Sequence, residues 1–396
     1  MQFVIDNKIT IQIAFQTEPV TATVLDLFEY IENIQAGLPT CLIRLNCRDN
    51  DLNFVRSSLY DGAKVNVGIR HETIDFPYKL KLRVFGTPVV LPSQVTNDGY
   101  DMTIYCTLDN YPYLSSLTKS SYKGSCSSVL NQLGLECGFK TAAIQTNESQ
   151  VWYGHGRTYF NLARYITDHC YISDSSLPAV CITHPNTILL KDVTDVLAKK
   201  PTHILSYQTK VVYKDGDNKK IDDALLKNSY VFVSYQSKNV AGLYNTVSSY
   251  GNSYLQDSVI SDNSFESKSV TFTRKLPNSE INKVEKSTIK EVAVNYMPLD
   301  IGNTYNKFYE AEAKNKRLRT LYSNILRALT VNEYTKIRPL DCVKVMIDQK
   351  YIDSKEDVYS GNYIVTSKTI NITRNVFREM ITLTNYGRNL KNNYTL

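Results

Sequence analysis

Arg338-Pro339-Leu340-Asp341-Cys342-Val343-Lys344-Val345-Met346-Ile347 begins a stretch that continues through Ser360-Gly361-Asn362-Tyr363-Ile364-Val365-Thr366-Ser367-Lys368-Thr369. It closes with Val376-Phe377-Arg378-Glu379-Met380-Ile381-Thr382-Leu383-Thr384-Asn385. These runs are rich in β-branched and aromatic residues, mostly alternate, and are punctuated by Pro, Gly and Asp. That pattern predicts an antiparallel sheet. A polar, helix-compatible run (307–317) and the apolar run 325–331 precede it. No residue in the stretch has an evident chemical task.

Outward from there, residues 1–118 read as β. Phe3-Val4-Ile5 and Ile9-Thr10-Ile11-Gln12-Ile13 flank an Asp6-Asn7 turn, and Cys41 to Cys47 reads as a buried strand. Lys64 to Arg70, Lys79 to Gly86 and Met102 to Leu108 supply further strands. Leu25, Leu27, Phe28 and Ile31 stand at helical spacing, which predicts a short helix over 24–35. Lys79, Lys81 and Arg83 fall on one face of their strand. That face is a wall toward a polyanion, a solvated surface or an inter-subunit contact.

Residues 119–200 change texture. Val129, Leu130 and Leu133 give one amphipathic helix, and Phe160, Leu162, Ala163 and Ile166 give a second over 159–171. Ala179 to Thr183 and Thr187 to Leu190 flank His184-Pro185-Asn186 as a hairpin. Residues 201–396 return to β, with strands at 204–213 and 230–235. A Ser-, Asn- and Tyr-rich segment at about 239–286 reads as an inserted arm.

The chain has 396 residues, 42% hydrophobic and 21% charged, ordinary for globular domains. No apolar run reaches the ~18 residues needed to span a bilayer, and the first residues lack a signal-peptide pattern. A net charge of +6 is too mild for a dedicated nucleic-acid binder. Twenty-nine tyrosines against one tryptophan suit strands and half-wet interfaces. Eight cysteines, scattered along the chain, read as thiols rather than a disulfide scaffold.

The order of helix, Ile337-Arg338-Pro339-Leu340-Asp341-Cys342-Val343 turn, Ser360-Gly361-Asn362-Tyr363-Ile364-Val365 strand start and a strand closing near Asn385-Tyr386-Gly387 resembles the phage tail baseplate hub family. The spike proteins of type VI secretion share that hub fold. Leu133-Gly134-Leu135 and Gln150-Val151-Trp152 sit where the family places its small central domain. The resemblance implies a β-rich α+β fold: two similar β-barrel tube domains (1–118 and 201–396, the second carrying the arm) with a small α/β domain (119–200) between them.

It further implies a structural, non-enzymatic homotrimer. Its pseudo-sixfold ring joins the hexameric tail tube to the trimeric tip or spike, contacts distal tail or baseplate proteins, and lets DNA and tape-measure protein pass through its lumen. Such a protein is assembled in the host cytoplasm and resides in the virion tail, with spike and enzyme on separate chains. Tyr363, Ile364, Val365 and Phe377 are then expected in the second barrel wall, and Lys79, Lys81 and Arg83 in the first. A reading from another class is a carbohydrate-binding tail or surface protein, since tyrosine-rich β-domains also stack on sugars.

Motifs for chemistry are sparse. Cys181-x-x-His184 near His169-Cys170 is the one short-spaced set of metal-ligand types, but adjacent His169 and Cys170 on a helix point apart, so no metal is expected. Gly154-His155-Gly156 exposes a histidine with no nucleophile elbow anywhere in the chain, and no phosphate-binding glycine loop occurs. Lys314, Lys316, Arg317 and Arg319 would spread around a helix rather than form a stripe. No catalytic residue and no cofactor is predicted.

Overall fold

The computed structural model describes residues 2–6, 9–15, 24–34, 36–48, 59–71, 74–93, 99–173, 176–206, 225–226, 229–233, 268–271, 293–296, 311, 315, 324–331, 334–346, 361–373 and 376–385. The amino-terminal strands are β1 (Gln2–Asp6), β2 (Ile9–Phe15), β3 (Val24–Asn33), β4 (Thr40–Arg48), β5 (Lys64–His71), β6 (Ile74–Val84), β7 (Val89–Pro92) and β8 (Gly99–Leu108). They pair in the order β1-β2-β5-β6-β8-β4-β3, with β7 also on β8. Alternation sets the faces: Val65, Val67 and Ile69 are buried, while Lys64, Asn66 and Arg70 between and beside them are exposed.

The helix expected over 24–35 is instead β3. An extra residue between Leu25 and Leu27 makes a β-bulge against β4. The bulge brings Leu25 and Phe28 onto the same buried face, after which Phe28, Tyr30 and Glu32 alternate strictly. Its three-residue step imitates helical spacing in the sequence.

The middle segment contains α1 (Tyr111–Ser115), β9 (Ser121–Gly124), α2 (Cys126–Glu136), β10 (Lys140–Ala143), β11 (Gln150–Tyr153), α3 (Tyr159–Asp168), β12 (Pro178–Thr183), β13 (Thr187–Asp192) and α4 (Val193–Ala198). Ser125 Oγ accepts the Ser128 amide at 3.2 Å and Thr158 Oγ1 accepts that of Asn161 at 3.3 Å, so both longer helices are capped by hydroxyls. Val129, Leu130, Leu133, Leu162, Ala163 and Ile166 form their shared core with Trp152. The hairpin read around His184-Pro185-Asn186 is β12 and β13. A small separate sheet, β10-β13-β12, packs under the helices.

The carboxy-terminal strands are β14 (His203–Ser206), β15 (Leu225–Leu226), β16 (Ser229–Val233), β17 (Lys268–Thr271), β18 (Ala293–Tyr296), β19 (Asn324–Val331), β20 (Cys342–Met346), β21 (Gly361–Thr373) and β22 (Val376–Asn385). The antiparallel arrangement read from the last three runs is present in the β20–β21 and β21–β22 ladders. The arm at about 239–286 lies outside the described residues except for 268–271, which pair with β18. The helix-compatible run 307–317 lies outside them too, apart from Ala311 and Asn315, as do Lys314, Lys316, Arg317 and Arg319.

The fold is strand-rich. Its first and last strands join in one 15-stranded sheet through β3 and β21, and among the described residues the ladders form an open, branched path.

Candidate functional site

Strand β21 is where the parts of the molecule meet. On one edge it pairs with β20 through residues 361–364, then with β3 from Ser367 to Thr373. The change of partner coincides with a bulge between Val365 and Ser367. Side chains shift parity there, so Tyr363, Val365, Lys368, Ile370 and Ile372 all lie on one face. Tyr363 and Val365 pack in the carboxy-terminal core, Ile370 and Ile372 in the amino-terminal core. Ile364 points the other way, into a cluster with Leu177, Cys181, Leu189 and Val193 of the middle segment. One strand therefore serves three hydrophobic clusters.

Between the two cores on that continuous face lies a buried polar seam. Lys368, 2% exposed, forms an ion pair with the fully buried Glu379 of β22 at 3.0 Å. Lys368 also donates to the carbonyls of Thr335 (2.9 Å) and Ile337 (3.1 Å). Glu379 Oε2 accepts the Thr335 amide at 2.8 Å and the Thr335 hydroxyl. The Tyr78 and Tyr334 rings stand edge to face at 5.4 Å, with the Lys368 ammonium 5.8 and 5.2 Å from their centroids. Across the ladder, Lys368 is the register partner of Glu32 on β3. Glu32 accepts the His184 amide at 2.6 Å and the Tyr30 hydroxyl at 3.2 Å.

Burial holds both carboxyls above the usual range, against the pull of Lys368. Burial likewise pushes His184 down to about 4. The seam joins β3, β6, β21, β22, the 334–341 loop and the His184 turn, so all three parts of the chain contribute. Enclosed this way, it is placed to fix register rather than to meet a substrate: a buried ion pair tolerates few alternative alignments. The sequence reading passed over Glu32, Lys368 and Glu379. The available signal was a charged residue at an inward parity of an otherwise apolar alternation.

The singled-out residues separate into two groups. Tyr363, Ile364 and Val365 are buried in β21. Phe377, on β22, packs in the amino-terminal core, because the β21–β22 hairpin reaches across to β3. Lys79 and Lys81 are exposed on the outer face of β6, with Gly68 and Asn66 opposite on β5. Arg83 is held by Asp109 at 2.7 Å and by the Gly62 carbonyl at 3.0 Å. Beyond them the same face shows Phe85 and Tyr105, both more than half exposed. These two line an apolar groove with Leu38, Leu42, Leu114 and Phe160.

Cys181 and His184 do not converge on a metal. Cys181 is in the apolar cluster beside β21, and the His184 ring lies against Tyr78 at 5.6 Å. His169 Nδ1 lies 2.8 Å from the Tyr165 carbonyl, and His155 is exposed in its turn. Among the described residues, the metal-type ligands that the fold gathers are Cys126, Glu148 and Cys170.

Comparison of the sequence with protein families and with curated proteins finds no match. The fold does have counterparts. The 43 kDa tail protein of prophage MuSo2 from Shewanella oneidensis superposes with a TM-score of 0.53 at 10% identity, over 94% of this chain and 95% of that one. The tail protein from Neisseria meningitidis MC58 gives 0.51 at 10% identity, over 96% and 97%. An Escherichia coli type VI secretion component, described as similar to the T4 bacteriophage tail proteins gp27 and gp5, gives 0.47 at 9% identity over 95% and 77%. The chain thus has the fold of phage tail proteins, in line with the hub-like resemblance read from its sequence.

Proposed function

We propose that this chain is the structural central hub of a phage-type tail baseplate. The observation that carries this is the near end-to-end match in both directions with two tail proteins. In this reading residues 1–118 and 201–396 are two like tube modules and 119–200 a small domain between them. Three copies present six edges, joining a sixfold tube above to a threefold tip or spike below. Distal tail or baseplate proteins attach at its rim, and tape-measure protein and DNA pass through the lumen in the virion tail. The protein's work is to be a ring, without catalysis.

Tyr363, Ile364, Val365 and Phe377 then serve as wall scaffold, and Lys79 and Lys81 as part of a surface that meets a neighbour. Phe85 and Tyr105 on that face favour a protein contact over a purely solvated one, since exposed aromatics beside cations are typical of interfaces. Mass photometry and negative-stain imaging of the full chain, alone and with tube protein, test the proposal. Trimeric rings on the tail axis are expected; a strict monomer even with tube protein added overturns it. Lys79→Glu with Lys81→Glu should weaken ring formation while leaving the melting curve within about 0.5 kcal/mol of the parent.

A further inference from the structure

One group of reactive side chains takes no part in the seam. Cys126 opens α2, Cys170 lies two residues beyond α3, and Glu148 lies between β10 and β11. All three are buried, with at most 2% exposure. Their two sulfurs and a carboxylate oxygen lie within 4.8 Å of one another. Glu148 Oε1 accepts the Cys126 amide at 2.8 Å, which accounts for one oxygen as a helix cap. The carboxyl also feels the Thr146 hydroxyl and the Tyr171 amide, yet Oε2, equally enclosed, has no well-aligned donor. A buried carboxylate oxygen left without a donor is costly, and capping α2 does not require a second one.

We propose that Cys126, Glu148 and Cys170 supply three ligands of a buried zinc-binding site in the middle segment, the fourth position falling to a water. Two thiolates and a carboxylate suit a borderline-soft divalent ion. Zinc bonds of about 2.3 Å to sulfur and about 2.0–2.2 Å to oxygen set the donors roughly 3.5–3.8 Å apart, a small contraction from the present limit. Binding replaces each S–H by an S–Zn bond: one Zn²⁺, two thiols and one carboxylate give the complex and two protons released to solvent. The cation also answers the unpartnered oxygen. Enclosure of all three ligands makes uptake a folding-coupled event rather than a surface equilibrium.

The test refolds the full chain from denaturant with and without Zn²⁺, removes loose metal with a competing chelator, and counts zinc by elemental analysis. About one zinc per chain is expected, with a higher melting temperature than the zinc-free chain. Cys126→Ser and Cys170→Ser should each lower affinity more than tenfold, and Cys137→Ser, outside the group, should not. Glu148→Gln keeps an oxygen for the Cys126 amide but removes the charge, so zinc affinity should fall while the chain still folds without zinc. Should a cysteine variant fail to fold, the parent refolded with Co²⁺ decides: thiolate-to-cobalt charge transfer is expected. Substoichiometric zinc in the parent, absence of that band, or zinc retained unchanged in the cysteine variants overturns the site.

Discussion

Lys368 and Glu379 illustrate how a pair of charges inside two apolar cores behaves. Neither is free to be removed singly, because the partner stays buried and uncompensated. Lys368→Met should cost about 3–5 kcal/mol in a urea melt, and the double change with Glu379→Leu should recover most of that. Recovery of less than a quarter would mean that the pair's worth lies in its bonds to Thr335 rather than in mutual neutralisation. His184 gives a pH signature. Its folded pKa of about 4 lies below the unfolded value of about 6.5, so between those limits the unfolded chain binds the extra proton. Stability from this group is full above pH 6.5 and lost as pH falls toward 4. Measured as parent minus His184→Gln, which cancels the opposing contributions of Glu32 and Glu379, the loss should be on the order of 1–2 kcal/mol.

At the scale of elements, β21 depends on one inserted residue. Deleting Thr366 would remove the bulge and send Lys368, Ile370 and Ile372 to the opposite face from Tyr363 and Val365. No cooperative unfolding transition is then expected; a variant melting within about 1 kcal/mol of the parent would show that the strand does not serve both cores. Helix α2 offers a milder case. Ser125→Ala removes the hydroxyl cap and should cost about 1 kcal/mol in the same melt. The sequence made the two longer helices of the middle segment legible, since apolar spacing is a local signal. It misread β3 for the converse reason: a bulge changes the period of a strand without leaving a local mark.

For the whole molecule, shared elements imply shared unfolding. Trp152, the lone tryptophan, reports the middle core, while far-ultraviolet circular dichroism reports chiefly the strands. Because Ile364 packs on the middle segment and Glu32 accepts the His184 amide, the two probes should give coincident denaturation curves. Separated midpoints would mean that the middle segment folds independently of the sheet. Lys191 adds a further tie across the same boundary, reaching the Leu340 carbonyl at 3.1 Å and Asp341 at 3.2 Å.

The alternation in Val343 to Met346, Tyr363 to Thr369 and Phe377 to Leu383, with Pro, Gly and Asp at the breaks, determined by itself that this chain is strand-rich and that its last strands are antiparallel, because strand period and turn chemistry are properties of neighbouring residues. Its soft motifs reached as far as the tail-protein fold. Only the tertiary structure decided that Phe377 belongs to the amino-terminal core, that Glu32 stands opposite Lys368, and that Cys126, Glu148 and Cys170 share one enclosed space. The first two outcomes depend on which strand edges meet across hundreds of residues and the third on how two helices and a loop pack, and contacts of that kind are set by tertiary packing rather than by any one stretch.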